Sequence, residues 1–178
     1  MIDIQNYYDM INSEYYQSAL EIGCGEGRRI KELNCPIRIG IDAFRPILEN
    51  HNTDNDGTIR INYDLSKGLN NLFINKSIDC IIGIDIIEHF VKEDGFKLIK
   101  ECEQISKNFV LFFIPVGNHP QTEDDRNLGN DYYQTHRSQW FPEDMISLGY
   151  TVHLDENFHS YKTEGDKGAM FCWKYLKD

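Results

Sequence analysis

The sequence predicts an α/β protein: a three-layer α/β/α sandwich on a seven-stranded, mostly parallel sheet that ends in a C-terminal antiparallel hairpin. Three observations predict it. Short apolar runs alternate with amphipathic stretches along most of the 178 residues, the pattern of strand–helix crossovers and a parallel sheet covered on both faces. The run at 77–85 is almost entirely apolar and rich in isoleucine, as a central strand buried on two faces must be. The last two apolar runs, 150–158 and 168–176, have no helix between them, only a polar turn around 163–166. With so short a connection they can pair only antiparallel.

In chain order, residues 4–16 are aromatic and acidic and read as a helix over one end of the sheet, an N-terminal cover across 1–17. Residues 19–23 form a first buried strand ending in glycines, and 26–33 a helix stopped before Pro36. A second strand at 38–43 leads to a short helix at 46–52, where Pro46 sits in the first turn and its missing N–H costs nothing. Residues 58–65 alternate with period two, a third strand. After the fourth strand, 91–107 carries Phe96, Ile99, Cys102 and Ile105 at spacings of three, an amphipathic helix. The fifth strand, 109–116, runs into a polar, aperiodic stretch at 117–137. A connection of about 20 residues inside a compact domain is usually functional, so it reads as a substrate-side loop. A helix at 141–148, opened by Pro142, precedes the closing strands. No repeat or linker interrupts this order, which predicts one domain over 1–178.

Composition narrows the function. The formal net charge is −11, from 29 acidic and 18 basic side chains, and binding to nucleic acid or an anionic membrane needs the opposite. Arg28, Arg29 and Lys31 read as the solvated face of the first crossover helix. No apolar run nears the roughly 20 residues of a membrane span, and the N-terminus lacks the basic and apolar regions of a secretory signal. A cytoplasmic protein is the expectation. Five cysteines, with no C-x-x-C pair, suit reduced structural thiols rather than disulfides or zinc.

Ligands of open parallel sheets bind beyond the C-terminal strand ends, where strand order reverses. The first strand ends in E-I-G-C-G-E-G over 21–27. Glycines at 23, 25 and 27 permit a tight turn and let a ligand lie against the backbone; the alternative is a plain strand-to-helix turn. A dinucleotide loop needs G-x-G-x-x-G, but Arg28 stands where its third glycine belongs. Glu21 and Glu26 oppose a pyrophosphate and suit a ligand with a cationic end. The second strand ends in Gly40-Ile41-Asp42-Ala43, with Asp42 about 20 residues past the loop, where a carboxylate accepts from ribose hydroxyls. The third ends at Asp64-Leu65; Asp64 either accepts from an exocyclic amine or caps the following helix. The fourth ends in Asp85-Ile86-Ile87-Glu88-His89, an ionisable cluster directly after an apolar strand.

This succession resembles the class I S-adenosylmethionine-dependent methyltransferases, Rossmann-like enzymes, over residues 19–176. The resemblance implies S-adenosylmethionine as cofactor. Glu21 and the loop with Gly23, Cys24, Gly25 and Gly27 would hold its methionine portion, Asp42 with Ala43 its ribose, and Asp64 with Leu65 its adenine. Asp85 and Ile86 would line the wall beside the sulfonium, with His89 toward the substrate; a structural role for His89 is the alternative. Residues 135–144 are similar to a stretch of small-molecule O-methyltransferases, which places His136 at the active-site mouth as a base for a hydroxyl, unless it is a surface histidine. Tyr132 and Tyr133 would wall an acceptor pocket or merely cover the sheet's end. Glu123, Asp124, Asp125 and His119 are the one metal-ligand candidate, and a consecutive acidic run converges poorly on an ion, so no metal is expected. The implied function is methyl transfer to a small-molecule acceptor, preferably a hydroxyl. A catalytically silent partner protein and an NAD-dependent oxidoreductase are the rival readings.

Overall fold

The computed structural model describes residues 4–49, 56–124, 126–161 and 165–176. Seven strands form one sheet: β1 Ser18–Ile22, β2 Ile37–Asp42, β3 Thr58–Asn62, β4 Ile78–Ile84, β5 Ser106–Pro115, β6 Thr151–Asp155 and β7 Ala169–Tyr175. Their order is β3-β2-β1-β4-β5-β7-β6. The first five run parallel, while β7 is antiparallel to both β5 and β6. The predicted closing hairpin is therefore present, with β6 at the edge.

Alternation along the central strands divides their side chains between two cores, because successive residues of a strand point to opposite faces. Leu20, Ile22, Ile81, Val110, Phe112 and Ile114 pack on one face, under α3 (Lys92–Ile105). Ala19, Cys80, Ile82, Phe109, Leu111 and Phe113 pack on the other, under α1 (Ile4–Ser13). The predicted N-terminal cover holds on by its aromatics: Tyr7 stacks on Phe171 with ring centroids 3.8 Å apart. Its hydroxyl also meets His153 Nδ1 at 3.2 Å, which gives that histidine a structural partner. All seven residues of β4 are buried, as its apolar run predicted.

Helix α3 follows its predicted span closely and carries Glu93 and Asp94 in its first turn, where carboxylates complement the helix dipole. Gly95 lets Trp140 approach; a Cβ there would lie 2.5 Å from the indole Cζ2. The fully buried Trp140 packs edge-on against Phe96 and beneath the Lys92 ammonium, 3.9 Å from the ring centroid. Two further short helices, α4 (Asp131–Gln134) and α5 (Pro142–Ser147), follow β5, and α2 (Arg45–Glu49) follows β2.

The predicted helix at 26–33 is not formed. Only Ile30–Glu32 makes a single 3-10 turn. Gly23, Gly25 and Gly27 all have positive φ (66°, 52° and 76°), so the chain bends repeatedly where a helix would have to start. The Ile30 N–H goes to the Glu21 carboxylate at 3.0 Å rather than to a helical carbonyl. Strand β3 also stops three residues early, at Asn62, because Asp64 turns the chain by accepting from the Ser66 N–H at 2.9 Å. The second predicted helix is observed only to Glu49; its end and His51 lie outside the described residues, as do 163 and 164 of the closing turn.

Candidate active site

The chain lays down β1, β2 and β3 in one direction and then returns to the other side of β1 for β4. Strand order thus reverses between β1 and β4, and the ligand crevice is expected beyond their carboxyl ends. Gly23 and Asp85 stand there. Two adjoining cavities of about 360 and 290 Å³ open at this point, and both are lined by Gly23, Asp42, Asp85 and His89.

The glycine loop has a different rationale at each position. A Cβ on Gly23 would fall 2.6 Å from Ile86 Cδ1. It is therefore Ile86, rather than a ligand, that fills the space a side chain would need, which corrects the expectation from sequence. At Gly25 the nearest atom, Ile47 Cδ1, lies 3.7 Å from such a Cβ; this glycine borders the larger cavity and leaves its backbone open to a ligand. Cys24 is buried beneath the loop, donates its N–H to the Ile41 carbonyl at 2.9 Å, and fits only because residue 40 is glycine.

Asp42 ties the loop to β2. One carboxylate oxygen accepts the Gly25 N–H and the other the Phe44 N–H, each at 2.8 Å. Burial raises its pKa above the usual carboxylate value, against the pull of those two donors. A carboxylate offers about four lone-pair sites, so two remain for a ligand. Ala43, Asp64, Leu65 and Ile86 line the smaller cavity with it. Asp64 caps the turn Leu65–Lys67 and also accepts from the Tyr133 hydroxyl at 3.4 Å. Both sequence alternatives for Asp64 therefore remain open: it caps, and it faces the cavity.

Glu21 is placed differently from its prediction. It is fully buried beneath the loop and lines neither cavity. Its Oε2 holds the Ile30 N–H while Oε1 has no hydrogen-bond partner. Burial pushes its pKa up to about 8, more than the nearby Arg29 lowers it. This side chain shapes the loop from below. Glu26 is paired with Arg28 at 2.5 Å and with Arg126 of the substrate-side loop at 3.1 Å. Arg29 reaches Asp85 at 3.6 Å and lines the larger cavity, so it is part of the site rather than a solvated helix face. Asp85 itself has φ +50°, a left-handed conformation that costs a non-glycine residue about 1–3 kcal/mol and concentrates at functional sites.

The substrate-side loop returns to where it began. Val116 and Trp140 form a parallel bridge, and the Gly117 N–H bonds to the Trp140 carbonyl at 2.9 Å. The N–H groups of Arg137 and Ser138 donate to the Glu88 carbonyl at 2.8 and 3.1 Å, and the Arg137 guanidinium to the His89 carbonyl at 2.8 Å. This stitching sets His136 against His89, with ring centroids 4.8 Å apart and nearly perpendicular. His136 donates its Nδ1–H to the His119 carbonyl at 2.6 Å, and His89 Nδ1 faces the Thr135 carbonyl at 3.3 Å. Burial, followed by the charge His136 can carry, lowers the His89 pKa to about 4.

Glu88, from the ionisable cluster after the fourth strand, and two further histidines complete this wall. Glu88 is 1% exposed, and one ligand atom from each of Glu88, His89 and His136 lie within 4.8 Å of one another. His119 and His159, both buried, pack edge to face and line the same cavity. Nothing in their spacing signals this, since the loop brings them together. The acidic candidate in the loop has another use. Although burial pushes the Asp124 pKa up, the N–H groups of Arg126, Leu128 and Asn130 hold it below the ordinary value, so its carboxylate organises the turn. Asp125 lies outside the described residues.

A family model described as a methyltransferase domain matches residues 20–114, more than half of the chain. The chain belongs to this family, the class I S-adenosylmethionine-dependent methyltransferases. The solved structures it resembles agree on the fold. A SAM-dependent methyltransferase from Archaeoglobus fulgidus is 19% identical, with a TM-score of 0.66 over 96% of this chain and 91% of that one. The methyltransferase domain of the bacterial protein CtHen1 is 15% identical, with a TM-score of 0.66 over 98% and 97%. The N-methyltransferase NodS from Bradyrhizobium japonicum WM9, crystallised with S-adenosylhomocysteine, is 10% identical, with a TM-score of 0.67 over 98% and 86%. No curated protein matches the chain in sequence. The methyl donor of this methyltransferase is S-adenosylmethionine, and among the described residues no helix is long and apolar enough to cross a membrane.

Proposed function

We propose that this methyltransferase is a single catalytic domain that methylates a hydroxyl group of a small molecule in the cytoplasm. The observation that carries the reading is the pair of adjoining cavities: one faces Asp42, Ala43, Asp64 and Leu65, the other the glycine loop and the histidines. The first suits a nucleoside and the second a methionine chain and an acceptor. Gly25 leaves its backbone open, and Asp42 and Asp64 supply acceptors for hydroxyl and amino groups, so the residues present fit the cofactor. Bound there, S-adenosylmethionine supplies a methyl group on a sulfonium sulfur.

The protein's task is then positioning and proton removal. Holding the acceptor in line with the methyl group accounts for most of the acceleration in such reactions. A hydroxyl must lose its proton as the methyl arrives, whereas an amine attacks with a ready lone pair. His136 and His89 on the acceptor side favour the hydroxyl, with His136, its Nδ1–H held by the His119 carbonyl, as the proton acceptor. Five cysteines that are all buried and free support a reducing compartment.

The test is transfer of labelled methyl from S-adenosylmethionine to a panel of small phenols, alcohols, amines and carbon acids. Label in a hydroxyl product, with a loss of about 10²–10⁴-fold in kcat for His136→Asn, supports the proposal. Label found only in amines or carbon acids overturns the oxygen assignment.

A further inference from the structure

We infer that Glu88, His89 and His136 form a binding site for one divalent first-row transition-metal ion on the acceptor wall of the active site. Glu88 contributes a carboxylate at 1% exposure, and one ligand atom from each of the three residues lie within 4.8 Å of one another. All three line the larger cavity, beside Gly23 and Asp85.

The donor set has a chemical preference. Two imidazoles and one carboxylate suit zinc, manganese, iron or cobalt, and three protein ligands leave a position for water or substrate. Magnesium and calcium favour sites made wholly of oxygen. Metal-bound histidines characteristically give their other ring N–H to a carbonyl or carboxylate, which fixes the ring and its tautomer. His136 does so to the His119 carbonyl at 2.6 Å, and His89 Nδ1 faces the Thr135 carbonyl at 3.3 Å. The Glu88 and His89 main chain is in turn bonded to Arg137 and Ser138, which ties the segment carrying the third ligand to the backbone of the other two.

Metal–ligand bonds of about 2.0–2.2 Å place tetrahedral donors about 3.4 Å apart. The cluster has to close by at most about 1.4 Å on binding, within reach of side-chain torsions alone.

This inference rests on the reading of the cavity as the acceptor side, and it refines the proton step proposed there. An acceptor hydroxyl on the open position becomes more acidic and gives its proton to solvent water. Its oxygen then forms the new C–O bond as the C–S bond breaks with its electron pair going to sulfur. With the ion bound, His136 holds the metal and the metal performs the activation assigned above to the imidazole.

The experiment uses the full chain stripped with EDTA. Manganese(II) is titrated by EPR and zinc(II) by calorimetry, with S-adenosylhomocysteine binding measured on the same samples. One ion per chain at micromolar Kd, with affinity lowered at least tenfold in His136→Asn and in Glu88→Gln, supports the site. Should buried Glu88→Gln fail to fold, His89→Asn takes its place. Wild-type protein that binds S-adenosylhomocysteine but neither ion below millimolar concentration overturns the metal site and leaves the methyltransferase reading intact. Ion binding unchanged in His136→Asn places any ion elsewhere and overturns it too. Loss of S-adenosylhomocysteine binding by the metal-loaded wild type counts instead against the reading of the cavity.

Discussion

Asp42 offers the sharpest test of the donor side, because its carboxylate serves the protein and, on our reading, the ligand at once. Its two oxygens hold the Gly25 and Phe44 N–H groups at 2.8 Å each. Two ribose hydroxyls on the remaining lone pairs would add two charge-assisted hydrogen bonds, worth about 1.5–3 kcal/mol each. Asp42→Ala is therefore expected to weaken S-adenosylhomocysteine binding by about 3–6 kcal/mol, roughly a hundredfold to more than ten-thousandfold in Kd. The same substitution strips two loop N–H groups of their acceptor, so calorimetry alone does not separate ribose recognition from loop shape. The 2′-deoxy analogue of S-adenosylhomocysteine does. Wild type should prefer the ribo form roughly ten- to hundredfold, and Asp42→Ala should show almost no preference, since the coupled pair loses its effect once one partner is gone. An equal preference in both proteins would refute the ribose assignment, whatever the absolute affinities.

Three further substitutions test the loop and its cover. Gly23→Ala forces a Cβ to within 2.6 Å of Ile86 Cδ1 at φ +66°; it should cost at least about 1–3 kcal/mol in urea unfolding, and a loss under 0.5 kcal/mol would contradict the contact. Glu21, raised from 4.5 to about 8 by burial, binds its proton more tightly in the folded state. Its contribution to stability is therefore complete below about pH 4.5 and disappears as pH rises towards 8, with a slope of at most about 1.4 kcal/mol per pH unit. Glu21→Gln should flatten that slope, and identical slopes in the two proteins would count against the assignment. Tyr133→Phe removes the hydroxyl that occupies Asp64 Oδ2 at 3.4 Å, so S-adenosylhomocysteine should bind unchanged or up to about fivefold tighter. Binding more than tenfold weaker would make Tyr133 part of the nucleoside site.

What was legible in the sequence is what short-range chemistry dictates. Asp42 could be found because it ends a strand a set distance beyond a glycine loop, and the loop because three glycines at alternate positions have few other uses. The central strands announced themselves by an apolar pattern that the two cores require. The helix at 26–33 was misread because composition there favours helix while tertiary bonds do not: Glu21 takes the Ile30 N–H and Asp85 draws Arg29. Glu21 reads from sequence as a holder of the cofactor's methionine portion, since nothing local reports that its carboxylate lies wholly buried beneath the loop. That Glu88, His119 and His159 line one cavity is not legible in the sequence, for a different reason. Their meeting is decided by where the loop at 117–137 returns, and that depends on the Val116–Trp140 bridge and the carbonyl of Glu88.

The two halves of the site therefore rest on different foundations. Gly23, Asp42 and Asp85 sit at the ends of paired strands, and moving any of them means breaking sheet hydrogen bonds. His136, Arg126 and Tyr133 sit on a loop held at its ends and by a few contacts across the crevice: Arg126 to Glu26, Tyr133 to Asp64, Arg137 to His89. The Arg126–Glu26 bridge has an Arg side chain 51% exposed, and such a pair contributes about 1 kcal/mol or less. The Glu88 carbonyl anchors the returning strand of that loop, while its carboxylate faces both histidines. An ion on these three side chains would join the strand-end half of the site to the loop half.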